Sequence, residues 1–245
     1  AANASGLAKG TPIIGFDALS AACDMIKEGT LAGSVSQNGD DQALATVRVL
    51  TSLVKNSSTV IDSSYGGKAE MNLGGFKEQT KFAAVTKQNA DSLKPGSYVD
   101  VAEDSAIKGK KMLVATYNNN DNFIKETYRQ ALPAYATKLG YTVDVIEGDG
   151  IDDAVLQQKI QTQMKVTQYD CFAFNIITHA NWESYQSLVG DKPLVFFNRQ
   201  PKTSDDKNVA DLSSKEKTYF VGSGSVGQGV AQGQIIKDWF NALEK

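Results

Sequence analysis

The sequence predicts an α/β fold in which doubly wound parallel sheets are divided between two lobes. Two observations carry this. From Lys110 to Asn198, short apolar runs alternate with amphipathic stripes in the order β-α-β-α-β-α-β, the pattern of a parallel sheet covered by helices. From Pro12 to Val54, a separate strand–helix–strand–helix series precedes it.

The elements follow in chain order. Pro12 to Phe16 reads as a strand, and Leu19, Ala22, Cys23 and Ile26 form a helical stripe that ends near Gly29. Leu31 to Ser36 is the next strand, followed by a helix with Leu44, Val47, Leu50 and Val54 on one face. Between Val60 and Val85 the pattern suits strands or a hairpin, with Gly66–Gly67 and Gly74–Gly75 as turns. Residues 94–110 read as a linker. Met112 to Thr116 is a buried strand, and one helix is predicted through Ile124, Tyr128, Ala131, Tyr135 and Leu139. Thr142–Ile146, Cys171–Ile177 and Pro193–Phe197 are further strands, and Leu156, Ile160 and Met164 mark a helix between the first two. Tyr219–Val221 is a short strand. A final helix places Val226, Val230, Ile236, Phe240 and Leu243 on one face, which is therefore expected to be buried.

Composition narrows the function classes. The chain has 245 residues, 41% of them hydrophobic, which suffices for a sizeable core. A net charge of −3 leaves no electrostatic footprint for nucleic acid or an anionic membrane surface. No apolar run is long enough for a spanning helix, and the first residues do not resemble a signal peptide. Cys23 and Cys171, both in apolar settings, read as two buried thiols.

Gly222, Gly224 and Gly227 match a G-x-G-x-x-G spacing between a strand and a helix. A dinucleotide site also needs a second strand ending in an acid that holds the ribose, and none follows here. The run reads instead as a strand-to-helix turn with Ser223 or Ser225 as a cap. His179 is the single histidine and has no identifiable nucleophile beside it, and no zinc spacing occurs. No enzyme, cofactor or metal is expected. Asp152–Asp153 and Asp205–Asp206 read as solvated charges at loops or helix starts.

In open α/β sheets, ligands bind beyond the carboxyl ends of the strands. Asp17, Asp121 with Phe123, and Asn175 all fall at such ends. Carboxylates and amides suit hydroxyls that both donate and accept, and an aromatic ring suits the C–H face of a sugar. Each residue also has a structural reading: Asp17 and Asp121 as helix caps, Phe123 as core, Asn175 as a strand-end turn residue.

Together these segments resemble the periplasmic galactose/glucose-binding proteins of sugar ABC importers, which have the type I periplasmic-binding-protein fold. The resemblance rests on Tyr117–Phe123, on Phe174–Ile176, and on Val195–Pro201, which looks like the first crossover between lobes. It rests also on Tyr219–Gly222 with Gly229, Gln232, Gly233 and Ile236, and on Gly15–Leu19 with Gly29–Val35. It covers most of the chain apart from residues 94–110 and the extreme start. The order differs from the family's. Residues 1 to about 90 resemble the end of a usual member and residues 111–245 its beginning. That is a circular permutation, as in a spirochaete glucose-binding lipoprotein. The family's middle portion, which completes the second lobe and carries most of a calcium loop, is expected to follow Lys245.

The resemblance implies residues 38–85 and 108–198 as the first lobe, 1–37 and 199–245 as an incomplete second lobe, and 94–110 as the linker joining the ancestral termini. It implies that Asp121 and Asn175 hydrogen-bond sugar hydroxyls, that Phe123 stacks on one sugar face, and that Asp17 binds from the second lobe. Gln37, with Asn38 beside it, stands where the family has a hinge-proximal asparagine. Hinges are expected near 198–201, 37–40 and 83–88. The implied function is capture of D-glucose or D-galactose by lobe closure and delivery to an inner-membrane ABC permease, with a chemoreceptor as a further partner. The implied location is periplasmic, with a lipid anchor open. A scaffold or adhesin that kept the fold without a ligand is the rival reading. The effector core of a transcription regulator would need a helix-turn-helix segment, and none is read here.

Overall fold

A computed structural model of the chain describes residues 11–56, 68–72, 75–79, 82–207, 209, 217–223 and 225–243, with strands 68–72 and 75–79 described by their backbone alone. The predicted α/β class holds. The larger sheet contains β3 (Lys68–Asn72), β4 (Gly75–Gln79), β6 (Lys111–Thr116), β7 (Thr142–Glu147), β8 (Cys171–Phe174), β9 (Leu194–Phe197) and β10 (Thr218–Gly222). Its order is β3-β4-β10-β9-β8-β6-β7. All neighbours are parallel except β3 and β4, which form an antiparallel pair.

Strand periodicity sorts the core onto the two faces of this sheet. Met112, Val114, Cys171, Ala173, Val195 and Phe197 join one buried cluster with α2 (Gly39–Val54) and α5 (Tyr128–Leu139). The alternate residues Leu113, Ala115, Phe172, Phe174, Leu194 and Phe196 pack on the other side with α6 (Asp153–Val166) and α7 (Trp182–Val189). Helices on both faces explain why these strands read as continuous apolar runs. Residues 94–110 are a packed strap rather than a loose linker. Ile107 is fully buried, Val99 N–H donates to the Tyr135 hydroxyl at 3.2 Å, and Asp104 N–H donates to Leu139 C=O at 3.0 Å. Gly140 closes α5 at φ 117°, a conformation other residues avoid.

A second sheet has the order β1-β2-β5, from β1 (Ile14–Phe16), β2 (Gly33–Ser36) and β5 (Ala83–Val85). Around it lie α1 (Ser20–Glu28), α3 (Ala90–Leu93) and α8 (Ser225–Leu243). Cys23, Ile26, Leu31 and Val85 form its core. Both cysteines are buried free thiols.

Four sequence expectations change. The helix predicted through Ile124 and Leu139 is broken: α4 (Asn122–Glu126) ends at Thr127, whose φ of −112° and ψ of −94° are not helical. The Thr127 hydroxyl bonds the Phe123 carbonyl, and the start of α2 abuts it, since a Cβ on Gly39 would stand 2.7 Å from Thr127 Cβ. The part of the apolar stripe of α8 whose side chains are described faces outward, while those of Val226 and Leu243 lie outside the description. Val230, Ile236 and Phe240 are exposed, and Ile235 is the residue buried over Gly33. β10 hydrogen-bonds β9, so residues 218–222 lie in the large sheet, whereas Ala83–Val85 lie in the small one. The chain therefore passes from the large sheet to the small-sheet helix α8 after Gly222, later than the 198–201 crossover expected. The expected turn at Gly66–Gly67 lies outside the described residues, as does Gly74; Gly75 opens β4.

Candidate functional site

The carboxyl ends of β1, β2, β6, β8 and β9 supply the candidate residues. At the end of β1, Asp17 and Ala18 both adopt positive φ, 68° and 47°, before α1 begins. Two consecutive non-glycine residues in this region store strain, typically ~1–3 kcal/mol each, which the surrounding contacts must offset. Ala18 N–H donates to Ser34 Oγ at 3.1 Å, which pins the turn. The half-buried Asp17 carboxylate accepts from the Gln37 side-chain amide, and Ser223 Oγ donates to Gln37 Oε1 at 3.3 Å. Burial raises the Asp17 pKa, the Gln37 hydrogen bond opposes that shift, and the charge of Asp121 adds to it. Asp17 on the small sheet thus lies within the field of Asp121 on the large one.

Asp121 caps α4. Its Oδ1 accepts from Phe123 N–H at 2.8 Å and Ile124 N–H at 3.1 Å, and its Oδ2 accepts from the Tyr117 hydroxyl. The Arg199 guanidinium lies 3.7 Å from the centre of the Tyr117 ring and donates through Nη1 to Ile177 C=O at 2.7 Å. These contacts form one continuous chain from Asp121 through Tyr117 to Arg199.

Asn175 is fully buried. Its Nδ2 donates to Phe197 C=O at 2.9 Å and its Oδ1 lies 3.5 Å from Tyr117 N, so in this conformation it ties strand ends together. Phe123 is 8% exposed and packs edge-to-face on Tyr128 with centroids 5.7 Å apart. Its ring faces the core. Asn38 has φ 51° and receives Ser36 contacts: its N–H donates to Ser36 Oγ at 3.0 Å, and Ser36 Oγ donates to Asn38 Oδ1 at 3.3 Å.

Beside Asp17 and Asn38 is a cavity of about 70 Å³, lined also by Ser36, Asp40, Asp41 and Thr127. That is room for a few waters. Asp40 Oδ2 accepts from Gly96 N–H at 2.8 Å, and its buried Oδ1 has no hydrogen-bond partner among the described residues. Burial raises its pKa to about 6.

The site gathers Asp17, Gln37, Asn38 and Ser223 at the small-sheet side and Asp121, Tyr117 and Arg199 at the large. The sequence reading did not single out Tyr117 or Arg199 for the candidate site. Tyr117 and Arg199 stood inside segments already singled out, but nothing in their spacing shows a ring and a guanidinium 82 positions apart in contact. Asn198, at the end of β9, has φ 62°. An asparagine after an apolar strand is a usable signal for that conformation. His179 Nδ1 lies 2.7 Å from Gln200 O, and burial lowers its pKa, with the charges of Arg199 and Lys202 adding to that shift.

Residues 109–181 match the family model of a periplasmic binding protein domain. The match runs from β6 through the 3₁₀ turn at His179–Asn181, so it includes the Tyr117–Phe123 loop and Asn175. The match covers 73 of the 245 residues and supports a periplasmic-binding-protein-like domain there, with a solute-binding role in general and a periplasmic location. Among the described residues, no helix is long and apolar enough to cross a membrane.

Proposed function

We propose that this chain is a substrate-binding receptor that captures a monosaccharide, D-glucose or D-galactose, between its two sheets and delivers it to an ABC importer. The observation that carries the proposal is the Asp17–Asp121 relationship. Two carboxylates from separate sheets, at the carboxyl ends of their strands, are close enough for one to raise the pKa of the other. Two like charges that feel each other's field are relieved by a ligand that donates hydrogen bonds to both, and neutral hydroxyls do so without adding charge.

Closure follows from the same geometry. A ligand held by Asp17 on one side and Asp121 on the other binds the closed form better than the open one and shifts the population toward it. Gln37 holds Asp17 in place, and Asn38 sits where the chain passes from β2 into α2. Phe123 and Asn175 remain part of the proposal as supports. In this conformation their polar or aromatic surfaces are committed to the protein, so ligand contact by either needs the loop to rearrange.

Isothermal titration with D-glucose, D-galactose and D-ribose tests the reading. One saturable site for a hexose is expected. Heat with none of the three sugars sends the reading to the ligand-free scaffold.

A further inference from the structure

We propose that Glu126 is a latch that holds the small sheet against the large one before any ligand enters. Its Oε2 accepts a 2.8 Å hydrogen bond from Ser20 N–H, 106 positions away in the chain. The two partners lie on helices whose buried residues belong to different cores, with Leu19, just before Ser20, packed against the large-sheet one. Glu126 ends α4, whose Phe123 and Ile124 are buried with the large sheet. Ser20 begins α1, whose Cys23 and Ile26 are buried with the small one.

The sequence of α1 explains why this contact matters. A helix leaves its first N–H groups without intrahelical partners. Most helices supply a Ser, Thr, Asp or Asn at the cap position. α1 has Leu19 there, makes no side-chain cap bond, and has no acid in its first turn. Its N-terminal partial positive charge therefore has no local counterpart, and a carboxylate from another element satisfies both the N–H and the dipole.

α4 thus faces the small-sheet side with charges at both of its ends, and only the Glu126 end makes a hydrogen bond across. At its start, Asp121 repels Asp17. At its end, Glu126 attracts the N-terminus of α1. The receptor sits between these two interactions, and a ligand that neutralises the repulsion leaves the attraction unopposed. This inference rests on the receptor reading for its use of closure, but the latch itself is a property of the ligand-free chain. A protein whose binding-competent form is fractionally populated loses apparent affinity in proportion, so Glu126 acts on the ligand as a positioning residue and not as a contact.

The test is a distance measurement by pulsed electron paramagnetic resonance on the full chain, labelled at Glu28→Cys in α1 and Lys165→Cys in α6, both exposed. The native cysteines are buried. Without ligand, Glu126→Ala is expected to move the label distance to a longer population. Glu126→Gln, which keeps an acceptor oxygen, is expected to restore part of the short one. Hexose affinity is expected to fall roughly 3- to 10-fold in Glu126→Ala, following the lost closed fraction. An unchanged distance in folded Glu126→Ala, verified by circular dichroism, would overturn the latch. Longer distances in a protein that binds no sugar would support the latch and reject the receptor reading.

Discussion

The carboxylate of Asp17, just after β1, lies in the field of Asp121, which caps α4 in the loop after β6, although the two strands belong to different sheets. Burial is the larger cause of the raised Asp17 pKa, and the second carboxylate adds to it. In Asp121→Asn the Asp17 pKa should therefore fall, while burial keeps it above the ordinary value. Asparagine caps a helix about as well as aspartate, so the fold should be preserved. Carboxyl-carbon NMR titration reads the change, and an unmoved Asp17 would show the pair to be uncoupled.

Phe123 belongs to the core of the large sheet in this conformation. Phe123→Ala should cost about 3 kcal/mol of unfolding free energy, in the usual range for deleting a buried aromatic ring. Urea denaturation measures it. A cost near zero would mean the ring is free to leave the core and stack on a ligand.

The strand–helix alternation through β6, β7, β8 and β9 was legible because β6, β8 and β9 are buried on both faces and the intervening helices carry apolar stripes. The Gly29 terminus of α1 was legible for the same local reason. Three features were not. The break at Thr127 depends on α2 pressing against it from 88 positions earlier, which no periodicity registers. The outward apolar stripe of α8 has the spacing of a buried face, and only the approach of Ile235 to Gly33 decides which side is covered. Phe123 occupies a loop position that suits a ligand contact equally well as a core contact. Spacing placed Asp17 and Asp121 after strand ends, but no local pattern in the sequence brings the two loops together.

Asp40 should make stability depend on pH. Its pKa is raised from 3.8 to about 6 when folded. The folded state therefore binds its proton more tightly than the unfolded chain does. The resulting stabilisation is full below about pH 4 and is lost as the pH rises through about 6. Relative to Asp40→Asn, the wild type should lose roughly 2–3 kcal/mol between pH 4 and pH 8, from the size of that shift. Chemical denaturation of both proteins across this range checks it. A constant difference would mean that Asp40 titrates normally.

Gly39 allows α2 to start against Thr127. In Gly39→Ala the new methyl would meet the Thr127 Cβ at 2.7 Å and its Cγ2 at 2.8 Å. Overpacking of this kind typically costs ~1–3 kcal/mol. Adding Thr127→Ser removes the methyl group and should recover part of the loss. Thermal unfolding of the single and double variants reads the coupling, and additive effects would argue that the two residues do not touch.

The most direct test of the central claim is a crystal structure with D-glucose. A pyranose with hydroxyls within hydrogen-bond distance of both Asp17 and Asp121 is the predicted result. A sugar bound elsewhere, or touching one of these carboxylates while the other points away, would contradict the account.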